Sequence, residues 1–298
     1  MLQTYYLKKI VKLNKIQILI KLTRLYLSLA ITFSAVAGYV ICNHSFDFKV
    51  FYVAFGVLFL SGAASAINQL QERKLDALMK RTQNRPLPAN QIKISTAILI
   101  SLLLGISGTL ILLFGTTPMA AFLGVFNLFW YNAIYTPLKT KTTFTVIIGA
   151  VTGAVPPMIG WAAAGGYLLN PAILFIAFFM FLWQIPHFCL LLLKFKNDYK
   201  AAGFAAITSE ASESYVKSIV FIWIFGTAIS SFFLPLFQIV SSKLLIVSLI
   251  IINIFIIVYF FRIIYSKKEL FNLKFAFRYI NLYQVVVLVI LIIQALNK

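Results

Sequence analysis

The stretch ISTAILISLLLGISGTLILLFGTTPMAAFLGVFNLFWYNAIYTPL, residues 94–138, contains no Asp, Glu, Lys or Arg. A helix needs about 20 mostly apolar residues to cross the hydrocarbon core of a bilayer, so this run is long enough for two crossings. The turn formers Gly115 to Pro118 divide it. A second uncharged run, 142–193, divides in the same way at Gly165 to Pro171. Working outward, apolar segments at 22–42, 50–68, 216–238, 244–265 and 276–297 complete a set of nine. The expected fold is all-α: a polytopic membrane protein of nine transmembrane helices. It forms a single transmembrane domain over 1–298, with 1–15 as a short basic N-terminal segment.

Composition agrees. Hydrophobic residues make up 61% of the 298, charged residues only 11%, and the mean hydropathy is +0.94, which excludes an ordinary soluble protein. The formal charge of +19 would suggest nucleic acid in a soluble chain. Here the basic residues lie between apolar runs, as topology signals do, so no nucleic-acid partner is expected. Cys42 and Cys189 both sit inside apolar runs and offer neither a disulfide framework nor a paired-cysteine metal site. The basic start MLQTYYLKKIVKLNK is followed by no small-residue cleavage site, and no Arg precedes Arg24. A bacterial plasma membrane is therefore the expected location.

In the nine-span reading, 23 of the 26 Lys and Arg fall at one side of the membrane, leaving Lys49, Lys243 and Lys298 on the other. The positive-inside rule makes the rich side cytoplasmic and puts the N-terminus there. The acids follow. Only Asp47 lies outside, whereas Glu72, Asp76, Asp198, Glu210, Glu213 and Glu269 lie inside. His44 falls in an outer loop and is expected to be solvated.

The second span runs into NQLQERKLDALMKRTQNRPLP, Asn68 to Pro88, with no helix breaker before Pro86. The helix is therefore expected to continue to Pro86. Asn68, Glu72 and Asp76 recur every fourth residue and share one helical face. Such hard oxygen donors suit Mg²⁺, which keeps several waters and is completed by substrate phosphates. Arg73, Lys74, Lys80, Arg81 and Arg85 surround them, and Asp198 in KFKNDYKAAG supplies an acid in a second loop on the same side. Arg holds phosphate oxygens bidentately and Lys as a point charge. The bland alternative is a salt-bridged, solvated helix end.

Four segments carry a resemblance to a known family. They are NQLQERKLDALMKRTQNRPLP, YTPLKTKTTFTVIIGAVTGAVPPMIGW (Tyr135 to Trp161), WQIPHF (Trp183 to Phe188) and DYKAAG (Asp198 to Gly203). Over almost its whole length the chain resembles the UbiA-type intramembrane prenyltransferases, and M-x-R-T-x-x-R-P-L with W-Q-x-P-H-F is similar to their haem branch. Departures are visible. The family usually has Asp where Glu72 stands, and Ala202 replaces the second acid of a D-x-x-x-D motif. FAAITSE replaces a proline-containing segment, and Leu25 stands where Pro is common.

The resemblance implies farnesyl diphosphate and protohaem IX as substrates, the lipid bilayer as setting, and Mg²⁺ as cofactor. It also implies haem A synthase or a terminal oxidase assembly as a partner. Metal binding and catalysis are implied for Asn68, Glu72, Asp76 and Asp198, and diphosphate binding for Arg73, Arg81, Arg85, Tyr135, Lys139 and Lys141. Tyr131 or Tyr135 would offer an aromatic face to an allylic cation. His187 would meet the porphyrin or its iron, with Trp183 and Gln184 shaping the pocket and Pro186 loosening the helix beside them. Two other readings stand at this point. One is a prenyltransferase acting on a quinone precursor or another aromatic acceptor, and the other is a membrane transporter.

Overall fold

The computed structural model describes residues 13–265 and 272–298, without the side chains of Ser209 and Glu210. Most of the basic N-terminal segment and the expected inner acid Glu269 lie outside the described residues, as does the Glu210 side chain. Among the described residues every regular element is helical. They are α1 (Lys15–Leu22), α2 (Leu25–Asn43), α3 (Lys49–Leu78), α4 (Ile94–Gly115), α5 (Pro118–Phe129), a π-helix (Trp130–Tyr135) and α6 (Thr136–Leu138). There follow α7 (Thr145–Ala163), α8 (Pro171–Lys194), α9 (Lys196–Ala201), α10 (Ile207–Glu210), α11 (Glu213–Ser231), α12 (Lys243–Tyr265) and α13 (Leu273–Leu296).

Among the described residues, eight helices are long and apolar enough to cross a membrane. The ninth expected crossing, Pro118–Leu138, is helical throughout but built from α5, the π-helix and α6 in succession. In the π register the donor for the Asn132 carbonyl would be the backbone N–H of residue 137, which proline lacks. Gln71 Nε2 supplies the hydrogen bond instead, at 3.0 Å. The irregular turn thus ties α5 to the end of α3.

Successive spans are neighbours: α2 on α3, α3 on α4, α4 on α5, α5 on α7, α7 on α8, α8 on α11, α11 on α12 and α12 on α13. Helix α13 closes onto α2 and α8, and α2 also packs along α7. In lipid the apolar effect does not drive helices together, so close backbone approach matters more. A side chain at Gly38 would collide with the Pro157 carbonyl, and one at Gly160 with the Ala35 carbonyl. The α2–α7 contact is therefore built on glycine. In α4 and α12 only 22% of the span is buried, against 56% in α7 and α8, so the former pair carry the lipid-facing rim. Asn253 holds α12 to its neighbours: its Nδ2 donates to Ser231 Oγ on α11, and Tyr283 OH on α13 donates to its Oδ1 at 2.8 Å.

Two boundaries differ from expectation. Helix α3 stops at Leu78 and not at Pro86, because Met79 is extended and the chain folds back. Thr82 Oγ1 donates to the Asp76 carbonyl at 2.8 Å, and the Lys80 and Arg81 N–H groups donate to Asp198 at 3.3 and 3.1 Å. The span expected over 216–238 occupies Glu213–Ser231. Residues 232–238 form turns around Pro235, which has no N–H to continue the helix, and end at Gln238 with φ 54°.

Candidate active site

The buried polar residues at the end of α3 each find a partner on a different segment. Asn68, Glu72 and Asp76 are buried, at 0%, 6% and 0% exposure, which is costly unless each is bonded. Asn68 Oδ1 accepts from Arg24 at 2.8 Å, and its Nδ2 donates to Thr136 Oγ1 at 3.2 Å. Glu72 Oε1 accepts from Lys139 Nζ at 2.8 Å, and Asp76 accepts from Arg85 at 2.6 and 2.7 Å. Gln69 Nε2 donates to the last carbonyls of α1, Lys21 and Leu22. One helix face therefore gathers the start of α2, the end of α6 and the loop after α3.

Arg24 is the residue that sequence reasoning missed. It lies between α1 and α2 with φ 48°, a left-handed conformation that is uncommon outside glycine. Its guanidinium reaches Asn68 and, at 3.4 Å, the Tyr131 hydroxyl. The available signal was an Arg immediately ahead of the first span. Its partner lies 44 residues away, beyond the reach of local pattern.

The expected residues divide into those the fold brings together and those it does not. Lys139 and Arg85 join the acids directly, and Tyr135 joins through Lys139, whose ammonium lies 4.6 Å from its ring centroid. Burial opposes the charge on Lys139, but Tyr135 and the Glu72 carboxylate outweigh it and hold the ammonium above the usual lysine range. Burial and the nearby Arg24 guanidinium lower Arg85 to about 10 despite Asp76, so it stays charged at neutral pH. Arg81 rests over the Phe195 and Tyr199 rings at 4.7 and 5.9 Å, beside Asp198. Asp198 itself holds the 80–81 turn, which docks the two acidic loops together through Met79, Ala202 and Phe204. Arg73 is exposed and donates to the Leu70 carbonyl, and Lys141 is exposed, so neither reaches the acids.

The donor set fits Mg²⁺ as an open site. Asn68, Glu72 and Asp76 are hard oxygen donors on one face. Among the described residues no three of His, Cys, Asp or Glu converge on one point, so the protein forms no closed cage. Mg²⁺ characteristically takes one or two carboxylates and completes its shell with waters and phosphate oxygens. The surrounding Arg24, Arg81, Arg85 and Lys139 would attract those phosphates.

From this end an aromatic path leads into the bundle. Tyr131 and Tyr135 lie 5.4 Å apart, Tyr135 and Phe188 5.9 Å, and Phe188 and His187 5.7 Å. Gly149 makes room for it, since a Cβ there would lie 2.6 Å from Tyr135 and 3.0 Å from Phe188. A pocket lined by Tyr135, Lys139, Phe188, Leu192, Tyr199 and Phe204 opens beside the path. Helix α8 continues through Pro186, which removes one intrahelical hydrogen bond next to His187. His187 Nδ1 lies 2.9 Å from Asn281 Oδ1, Trp183 Nε1 donates to the Ile280 carbonyl at 2.8 Å, and Gln184 lies over Gly153. His44 is exposed at the opposite end, as expected, with Nδ1 3.2 Å from the Ala295 carbonyl.

The same architecture occurs in solved proteins. A digeranylgeranylglyceryl phosphate synthase superimposes with a TM-score of 0.76 at 18% identity, covering 96% of this chain and all of that one. A UbiA homologue from Archaeoglobus fulgidus, bound to DMAPP and Mg²⁺, gives 0.70 at 13% identity over 94% of this chain and 99% of that one. Sequence relatives are nearer. The protoheme IX farnesyltransferase of Christiangramia forsetii is 42% identical over 186 residues, 62% of this chain and 61% of that protein. The protoheme IX farnesyltransferase of Flavobacterium psychrophilum is 37% identical over 216 residues, 70% of this chain and 71% of its own length. The sequence profile of the UbiA prenyltransferase family matches residues 30–282, from within the first span to within the last. With the acid-bearing end of α3 inside that stretch, which spans most of the chain, the chain belongs to the UbiA prenyltransferase family.

Proposed function

We propose that the chain transfers the farnesyl group of farnesyl diphosphate to a vinyl group of protohaem IX, giving haem O. The observation that carries the reading is one continuous arrangement: buried acids and four cations at one end of the bundle, opening onto the Tyr131–Tyr135–Phe188–His187 path. The names of the relatives at 42% and 37% identity support protohaem as the acceptor. The Mg²⁺ that accompanies a prenyl diphosphate in the Archaeoglobus homologue supports the metal.

Asn68, Glu72 and Asp76 would hold Mg²⁺ with phosphate oxygens. Asp198 joins from the facing loop, where each of its oxygens keeps a lone pair beyond its backbone hydrogen bond. When bound, the metal supplies the positive charge that neutralises a departing diphosphate. Arg24, Arg81, Arg85 and Lys139 bind the remaining phosphate oxygens. The farnesyl C1–O bond breaks and both electrons leave with the diphosphate. The Tyr131 and Tyr135 faces stabilise the allylic cation, and the apolar pocket keeps water from it. The vinyl π pair then forms the new C–C bond. The cation left beside the porphyrin ring takes a water oxygen, and the proton passes to solvent. His187, with Trp183 and Gln184 around it, meets the porphyrin.

The charge bias supports a reading in which this end of the bundle faces the cytoplasm, in a bacterial plasma membrane. The product is then available to haem A synthase or a terminal oxidase assembly. Purified protein incubated with labelled farnesyl diphosphate, Mg²⁺ and either protohaem or a quinone precursor tests the reading. Label should appear on haem and depend on the metal. Label on the quinone precursor alone would move the acceptor assignment to the aromatic branch.

A further inference from the structure

His187 packs among aromatic rings and is hydrogen-bonded at one of its two nitrogens. Helix α8 stacks it one turn from Trp183, at 5.1 Å between centroids, and α13 lays Phe277 against it at 4.9 Å. Trp183 is itself pinned to the Ile280 carbonyl, so residues 277–281 of α13 hold both members of the pair. The orientation of the Asn281 amide is fixed by its own helix. Its Nδ2 donates to the Phe277 carbonyl one turn back, which leaves Oδ1, an acceptor, facing His187 Nδ1. The imidazole must answer with a proton on Nδ1. Nε2 then carries the lone pair, and no hydrogen bond from the described residues engages it.

We propose that Asn281 is a positioning residue, fixing His187 in the Nδ1–H tautomer so that Nε2 serves as axial ligand to the iron of the haem substrate. The inference rests on the reading that His187 meets the porphyrin. An amide in this place also has a chemical meaning. Outer-shell acceptors raise the basicity of a ligating histidine, and a carboxylate does so more strongly than a neutral carbonyl. Asn281 therefore makes His187 a moderate ligand, suited to a haem that must be released after the vinyl group has reacted.

The test uses the full chain in detergent, loaded with protohaem, and reads the ferrous iron–histidine stretch by resonance Raman alongside haem titration. His187→Ala should lose the band. Asn281→Asp, nearly isosteric, should raise its frequency and tighten haem binding. Asn281→Leu should lower the frequency and weaken haem binding by about 10- to 100-fold, with farnesyl diphosphate binding unchanged. If Asn281→Leu fails to fold, Asn281→Asp alone carries the comparison. A wild-type frequency in the Asn281 variants, with the band lost in His187→Ala, would overturn the positioning role and leave the His187 reading standing. A band that survives in His187→Ala, or is missing from the wild type, would overturn the His187 reading and this inference with it.

Discussion

Arg24 and Glu72 show how much of this site depends on single atoms. The Arg24 guanidinium sits 2.8 Å from Asn68 on a left-handed backbone, at the place where the acid-bearing face of α3 meets the Tyr131 hydroxyl. A charge-assisted hydrogen bond contributes roughly 1.5–3 kcal/mol, so Arg24→Ala should weaken farnesyl diphosphate binding about 10- to 100-fold. Isothermal titration in the presence of Mg²⁺ measures it, and unchanged affinity would remove Arg24 from the phosphate set. Glu72 tests the acids. Glu72→Asp keeps the carboxylate but draws it back by one methylene from Lys139, so it should retain activity and require more Mg²⁺. Glu72→Ala leaves the Lys139 ammonium buried without its counter-ion and removes one of the proposed metal donors. It should lose transfer by about a hundredfold or more. Equal activity in the two variants would contradict the metal assignment. Sequence alone made Asn68, Glu72 and Asp76 legible, because every-fourth spacing on one helix is a local property. Their partners were not. Arg24 and Lys139 come from 44 and 67 residues away, and only the packed bundle brings them in.

The elements were legible where turn formers and uncharged runs mark them. Gly115 to Pro118 and Gly165 to Pro171 divide the long apolar runs at the ends of α4 and α7. The end of α3 was not legible, since nothing in LMKRTQNR breaks a helix. It is Thr82 turning back on Asp76, and Asp198 receiving two backbone N–H groups, that stop it at Leu78. Asp198 thus sets an element boundary 118 residues away in sequence. The π turn at Trp130–Tyr135 is likewise readable only when Pro137, which has no N–H to give, is considered with Gln71, whose Nε2 donates to the Asn132 carbonyl. Helix α12, mostly lipid-facing, depends on Asn253. Interhelical hydrogen bonds of this kind contribute about 0.6–2 kcal/mol in membranes, so Asn253→Leu should lower stability by that amount. Thermal or denaturant unfolding in detergent micelles reads the loss, and prenyl transfer below the unfolding range should persist. An unchanged unfolding midpoint would show that α12 is held by packing alone.

At the scale of the whole molecule, the charge bias and the helix ring make one statement: the acids and their cations share one end of the bundle, and Asp47, His44 and Lys298 lie at the other. In a background lacking Cys42 and Cys189, exposed probes at Lys74→Cys and Lys200→Cys should be labelled from the cytoplasm, and one at Lys298→Cys from outside. Labelling of the first two from opposite sides would break the shared site. Composition and span count make the membrane protein legible but say nothing of an acceptor. That information resides in WQIPHF and the segment before Pro86, where His187 lies at the inner end of the aromatic path. The most direct measurement is therefore the mass of the haems extracted from cell membranes that contain this protein, compared with membranes containing its Asp76→Asn variant. The wild type should accumulate a porphyrin heavier than protohaem by one farnesyl group and the elements of water, absent from the variant. Unmodified haem in both, alongside a prenylated aromatic compound only in the wild type, would contradict the account.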